Sequence, residues 1–310
     1  MMDRQRIVVT GSTGMIGRAL VAALLDRGDS VLALARNAAR AQETLGETVE
    51  VHEWPEPTHS PPPVGSLTGA DAVVHLLGEP VAQRWNPVVK RAIRDSRELG
   101  TQMLVTGLRA LRDAERPRTL VSGSAVGFYG PRGDEPLDEE AGPGSDFLAE
   151  AVVAWEREAA RAEEIMRVVM ARTGIVLSPS GGALAQMLPI FRLGLGGPLA
   201  GGRQYLSWIH IDDEVRGLLF CLDNHRARGP VNLVAPHPVT NAEFTRALAR
   251  AVRRPAIVPV PGFGLRLMFG EMAQGVVTGQ RAVPARLSEL EYQFAYPEIG
   301  PALAALLSHR

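Results

Sequence analysis

Residues 10–17 read TGSTGMIG, with glycines at 11, 14 and 17. A short apolar run at 7–10 precedes the octet, residues 15–26 after it carry apolar side chains at helical spacing, and a second apolar run follows at 31–35. Strand, glycine turn, helix and strand in that order form the βαβ unit that a dinucleotide site requires. Gly11 allows the tight turn, Gly14 admits a pyrophosphate close to the backbone, and Gly17 lets the helix pack on the strand. Ser12, Thr13, Met15 and Ile16 complete the cradle, where the N–H groups of a helix start supply an anion site. The alternative is a glycine-rich turn with a purely structural role.

The end of the second strand selects the dinucleotide. An acidic residue there would accept hydrogen bonds from the ribose hydroxyls of NAD, whereas Arg accommodates the 2′-phosphate of NADP. The segment VLALARN puts Arg36 at that place, 19 positions after Gly17, with Arg40 one helical turn later. The cofactor predicted is NADP(H); two arginines on a solvated face is the competing reading.

Further apolar runs at 72–77, 119–123 and 168–171 alternate with helical patterns at 15–26, 87–111 and 149–164. That alternation predicts an α/β fold, a Rossmann-type doubly wound parallel sheet. Residues 53–63, with WPEPTHSPPP inside, hold too many prolines for either element and read as an exposed loop. After residue 176 the rhythm breaks into Gly- and Pro-rich pieces, then a strand-helix unit at 207–223, a strand at 231–235 and helical patterns from 241. The plan expected is a nucleotide-binding domain of residues 1–176 plus about 206–235, and a smaller mixed C-terminal substrate domain of residues 177–205 plus 236–310. In the first domain, Leu76, Leu77 and Gly78 at the end of the fourth strand would border the cofactor.

Composition removes several classes of function. With 33 basic and 34 acidic side chains in 310 residues the net charge is −1, which gives no general attraction to nucleic acid or an anionic membrane. The one cysteine, Cys221, cannot form an internal disulfide or a thiolate cluster. No secretory signal and no 18-residue apolar run is seen, so the expected compartment is the cytoplasm and the expected partner a small molecule. Lysine occurs once, at Lys90, expected to face solvent. Arginine holds anions and donates hydrogen bonds, but it does not replace an amine acid, base or Schiff-base former.

These segments carry a resemblance. TGSTGMIG, DAVVHLLGE, SGSAVGFYG and SWIHIDD resemble the extended short-chain dehydrogenase/reductases, whose familiar members are sugar-nucleotide epimerases and dehydratases. GEPVAQRW, SRELGTQ, FLAEAVVAWE, GLGGPLAGGRQYLSWIHIDD and PVPGFGLRLMFGEMAQGVVTGQRAVP are similar to an atypical subgroup, the epimerase family proteins, which carry a C-terminal domain of unassigned function. The resemblance spans nearly the whole chain and implies NADP(H)-linked oxidoreductase or epimerase chemistry. It also implies a catalytic Tyr, a Lys four residues on, a Ser and an Asn. None of the four tyrosines, 129, 205, 292 and 296, has Lys at the fourth following position. Aligning FLAEAVVAWE with the family's YxxxKxxxE run puts Leu148 and Val152 where Tyr and Lys would stand, and aligning SRELGT puts Arg97 where Asn would stand. Ser124 alone keeps its family place, as a catalytic residue or as a small residue beside the cofactor.

A positioned acid or base is worth 10²- to 10⁴-fold, so its absence demands a substitute or chemistry that barely needs one. Tyr129 is one substitute, a phenol expected to titrate near 10 and so a poor base; Glu150 and Glu156 are others, on a helix where glutamates are usually solvated. Arg97 suits a phosphate, ribose or carboxylate at the cofactor's edge. Arg84 with Trp85 forms an anion-holding wall or an aromatic packed on an Arg stem. Arg203 and Gln204, in GLGGPLAGGRQ, are candidate substrate contacts. His210, Asp212 and Asp213 resemble metal ligands but lack a third convergent partner, and Asp at a helix start reads better as a cap, so no metal is expected. Two functions remain open: an NADP(H)-dependent oxidoreductase or epimerase/isomerase without the YxxxK pair, or a non-catalytic NADP(H)-binding protein that senses redox state or binds a partner.

Overall fold

A computed structural model of the chain describes residues 4–259, 270–272 and 278–308. The first half folds as alternating strands and helices: β1 (Arg6–Thr10), α1 (Met15–Asp26), β2 (Ser30–Ala35), α2 (Ala38–Leu45), β3 (Glu50–Glu53), α3 (Val64–Leu67), β4 (Ala72–His75), α4 (Pro87–Ala110) and β5 (Thr119–Ala125). A two-residue strand β6 (Pro136–Leu137) precedes α5 (Phe147–Ala160), β7 (Arg167–Thr173) and β8 (Ile175–Leu177). Beyond these come α6 (Gly182–Arg192), β9 (Tyr205–Leu206), β10 (Trp208–His210), α7 (Ile211–Asp223), β11 (Gly229–Leu233), β12 (Val239–Thr240), α8 (Asn241–Val252) and β13 (Arg281–Ala282). A last helix spans Ile299–Leu307.

Seven strands form one parallel sheet in the order β11-β7-β5-β4-β1-β2-β3. They read as continuous apolar runs because both faces are covered. Along β1 successive side chains point to opposite faces: Ile7 and Val9 join Leu20, Leu24, Leu218 and Leu222 of α1 and α7, while Val8 joins Leu104 and Leu108 of α4. Each such fully buried aliphatic side chain contributes about 1.5–3 kcal/mol. A third core lies beyond the sheet, where Leu184, Leu188 and Phe191 of α6 meet Trp208, Phe244, Leu248 and Leu303.

Three helices near the site, α4, α5 and α7, start at side-chain-capped positions. The Asn86 side chain accepts the Val89 N–H ahead of Pro87, and Asp146 accepts the Ala149 N–H at the head of α5. At α7 the cap is His210, whose Nδ1 accepts the Asp212 N–H at 3.0 Å, rather than an aspartate. The Asp213 carboxylate accepts the Ala295 and Tyr296 N–H groups, both at 2.8 Å, and so fastens a distant segment to α7.

Other expectations needed correction. Residues 53–63 lack regular structure but are not merely exposed: Trp54 is buried among Leu67, Leu104 and Leu108 and its indole donates to the Ser60 carbonyl at 2.8 Å. Proline content excludes helix and strand without saying where the loop goes. Strand β3 and helix α2 went unread, since AARAQETL has one apolar side chain larger than Ala and EVHE has a single apolar residue. Lys90 is half-buried, its ammonium 2.9 Å from the exposed Glu271 carboxylate and over the Phe147 ring at 4.7 Å. Much of the C-terminal segment that carries the resemblance, residues 260–269 and 273–277, lies outside the described residues.

Candidate functional site

The strand order reverses at β1 and β4, and open α/β sheets bind ligands beyond the carboxyl ends of the strands at such a switch point. A cleft of about 530 Å³ opens there, walled by Gly11 to Gly14, Leu34 to Arg36, Pro55 to His59, Leu76 to Pro80 and Ser96. Gly11, Ser12, Thr13, Gly14, Arg36, Leu76, Leu77 and Gly78 therefore come together, although they arrive from three separate strand ends. The backbone requires the glycines. Gly11 sits at φ +66°, where a Cβ would lie 2.4 Å from the Leu76 carbonyl oxygen, and a Cβ on Gly17 would lie 2.2 Å from the Gly11 carbonyl oxygen.

Met15 and Ile16 are placed differently. The Met15 side chain leaves the cleft and meets Gly181 and Gly182 at the start of α6, and Ile16 packs against the core. Only their backbone, in the first turn of α1, belongs to the anion cradle. Three features suit a phosphate-bearing dinucleotide. The first turn of α1 holds no acidic residue, the buried Ser12 hydroxyl has no hydrogen-bond partner, and among the described residues Arg36 has no carboxylate partner.

Across Gly78 stands Arg97 on α4, close enough that a Cβ on Gly78 would touch its guanidinium at 3.2 Å. Nη1 donates to the Glu79 and Ile93 carbonyls at 3.0 and 3.1 Å, and the guanidinium lies 5.2 Å from the Trp155 ring. Burial without a carboxylate partner lowers the Arg97 pKa to about 10, with Glu79 opposing the shift. On its other side Arg97 borders a second cavity of about 420 Å³ between the sheet and the third core. Leu148 and Val152, one turn apart on α5, line that cavity together with Ile93, Met187, Trp208 and Phe244. The two positions that the family pattern gives to Tyr and Lys are thus hydrocarbon wall.

Ser124 and Tyr129, expected as catalytic candidates, both hold partners inside the protein. The Ser124 hydroxyl donates to Glu156 Oε1 at 2.5 Å, and Arg172 binds the same carboxylate. Tyr129 is wholly buried; its hydroxyl donates to Asn232 Oδ1 at 2.7 Å and accepts from Arg172 Nη1 at 3.1 Å. Burial pushes the phenol above its ordinary value, against the opposing charge of Arg172. Neither side chain lines the cleft or the cavity. They belong to a polar bolt between β5, α5, β7 and β11. Glu156, expected to be solvated, is the centre of that bolt; Arg172 was overlooked, although an Arg inside the apolar run RVVMART signals a buried charge that needs a partner.

Of the other candidates, Trp85 reaches the cavity, donating from its indole to the Val81 carbonyl at 2.9 Å and packing edge-on to Phe147 at 5.2 Å. Arg84 does not reach it: the side chain is exposed beside Gly270, so the pair forms no common wall. Arg203 is exposed as well, and buried Gln204 donates to the Leu199 carbonyl at 3.1 Å; neither lines the cavity. The loop of 194–204 contributes Leu199 instead. Among the described residues no cluster of three or more His, Cys, Asp or Glu is placed to hold a metal ion, and no helix is long and apolar enough to cross a membrane.

Comparison with known proteins bears on this geometry. Residues 7–234 match the NAD dependent epimerase/dehydratase family. The chain belongs to that family. Residues 260–306 match a domain of unknown function, DUF1731. An epimerase family protein of Mycobacterium bovis is 45% identical over 300 residues, covering 96% of each chain. A chloroplastic homolog of epimerase family protein SDR39U1 from Arabidopsis thaliana is 37% identical, covering 98% of this chain and 87% of its own. The crystal structure of human epimerase family protein SDR39U1 with NADPH superposes with a TM-score of 0.88 at 33% identity, covering 98% of this chain and 100% of that one. The family member described here is therefore SDR39U1-like along its length, with a seven-stranded parallel sheet and a smaller C-terminal region.

Proposed function

We propose that this protein binds NADP(H) in the cleft at the switch point and acts on a small molecule in the adjoining cavity, as an oxidoreductase or epimerase/isomerase without the Tyr-Lys pair. The observation that carries the reading is the position of Arg97, against Gly78 of the cleft on one side and on the wall of the cavity on the other. Bound NADP(H) would supply hydride exchange. The glycine loop and the head of α1 would hold its pyrophosphate and Arg36 its 2′-phosphate. Residues 177–205 and 236–310 are assigned as the substrate side. The NADPH in the human relative's structure supports the choice of cofactor. The cytoplasm is the compartment proposed, on the strength of one buried, unpaired cysteine.

The residues facing the cavity constrain the chemistry. Arg97 would steady a carbonyl or carboxylate oxygen by charge and hydrogen bonding. Among the described residues Asp146 is the one carboxylate on the wall, and its Oδ1 already caps α5. A second reading, a non-catalytic NADP(H)-binding protein, is favoured by Leu148 and Val152, which leave the usual proton donor's place apolar. The two separate in a metabolite screen that follows NADPH absorbance, run beside Arg97→Ala. Turnover that Arg97→Ala abolishes supports the enzyme; silence of the wild type across the screen, with NADPH bound, supports the second reading.

A further inference from the structure

We infer that the cavity beside the cofactor cleft takes an apolar monocarboxylate, a hydrocarbon or aromatic body with one oxyanion at its end, and not a sugar nucleotide. This rests on reading the cleft as the NADP(H) site and names the second ligand of that site. The walls decide the body. At about 420 Å³ the space lies within the range of small-molecule sites, and Ile93, Leu148, Val152, Met187, Trp208 and Phe244 present carbon to it.

Several of its polar side chains are committed elsewhere, although Tyr205 and Gln280 line it as well. Thr173 donates to Glu214 at 2.8 Å, and the Ser207 hydroxyl donates to the Gln280 carbonyl and accepts the Ala282 N–H, each at 2.8 Å. Asn241 Oδ1 accepts the Leu199 N–H, also at 2.8 Å. A nucleoside diphosphate brings two phosphates and a base edge, and buried polar groups without partners are costly. Among the described residues one cation, Arg97, lines the cavity, and it cannot satisfy them.

Arg97 decides the head group. Its Nη1 is held by two backbone carbonyls, no carboxylate among the described residues pairs with it, and it stands where the cavity meets the cleft. A guanidinium fixed in this way is set to receive one carboxylate. Asp146, the other charged residue on the wall among the described residues, also borders an outer pocket with Lys90 and Glu271.

The experiment is calorimetric titration of NADPH-saturated protein with hexanoate, octanoate, decanoate, decan-1-ol and UDP-glucose, with NADPH binding measured separately by nicotinamide fluorescence. The expected result is affinity that tightens about four-fold per methylene from hexanoate to decanoate. Decanoate should bind at least ten-fold tighter than decan-1-ol, and Arg97→Met should erase that preference while the chain-length trend stays. Val152→Asp should abolish decanoate binding with NADPH affinity retained; where circular dichroism shows that variant unfolded, the wild-type trend and Arg97→Met decide. A flat chain-length series, or UDP-glucose binding tighter than decanoate, overturns the inference. Absence of NADPH binding overturns the reading of the cleft instead, so the two failures are distinct.

Discussion

Arg172 grips Glu156 through two parallel hydrogen bonds, Nε to Oε1 at 2.8 Å and Nη2 to Oε2 at 2.9 Å, with both side chains nearly out of water. Removing one partner of a buried pair strands the other, at about 3–5 kcal/mol. Glu156→Gln should therefore lower the unfolding free energy by about that amount. Ser124→Ala removes one hydrogen bond to a charged group and should cost about 1.5–3 kcal/mol. Denaturant unfolding checks both values. Ser124→Ala should also leave NADPH affinity within two-fold of the wild type in a fluorescence titration, and a larger loss would return Ser124 to the cofactor.

Arg36 predicts a choice between cofactors. In Arg36→Ala, NADPH should dissociate at least ten-fold more readily, equivalent to about 1.4 kcal/mol, while NADH affinity stays level. Parallel titrations with the two reduced cofactors test this. Equal weakening of both would place Arg36 away from the 2′-phosphate.

Gly17 predicts a steric failure. Because a Cβ there would lie 2.2 Å from the Gly11 carbonyl oxygen, Gly17→Ala must push α1 away from β1. We expect loss of NADPH binding together with a lowered melting temperature. Gly28→Ala is the control, since a Cβ on Gly28 would meet nothing within 4 Å, yet its φ of +91° makes a modest loss of stability the expected result with NADPH binding intact.

How far the sequence led follows from these residues. That the first three glycines lie at the turn from β1 into α1 and that Arg36 follows β2 was legible because a βαβ unit rests on local backbone geometry and spacing. Helix α1 begins at Met15 and ends at Asp26 as its apolar spacing predicts. Ser124 and Tyr129 are close in sequence at a strand end, but the groups that bond them come from elsewhere and were not legible: Glu156, Arg172 and Asn232. The cavity was equally hidden. Leu148 and Val152 stood out as departures from a pattern, but that they face Met187 and Phe244 across a void is a property of packing between distant segments.

Buried titratable groups set the acid and alkaline limits of stability. Burial raises the Glu214 pKa to about 8, with the Thr173 hydroxyl opposing, so the folded chain keeps a proton that the unfolded chain loses from 4.5 upward. Stability then falls as pH rises from about 4.5 to 8. His75, between Thr10 and Thr101, is lowered by burial to about 3, so the unfolded chain takes up a proton first, and stability falls as pH drops from 6.5 toward 3. The two trends oppose each other between 4.5 and 6.5, where the melting temperature should be nearly level; it should decline on either side. Glu214→Gln should remove most of the decline between pH 6.5 and 8 in thermal scans. An unchanged slope would mean that Glu214 is ionised in the folded protein.

The Arg97 guanidinium faces the Gly78 loop of the cleft and the wall of the cavity at once. Any ligand that turns, neutralises or orders that group on one side alters what the other side meets. Occupancy of the two chambers is then thermodynamically coupled, and coupling is reciprocal: the factor by which NADPH changes the affinity of the second ligand must equal the factor by which that ligand changes the affinity of NADPH. One shared side chain would make the ratio of reduced cofactor a control on how full the apolar chamber is, and would do so whether or not a reaction ever takes place there.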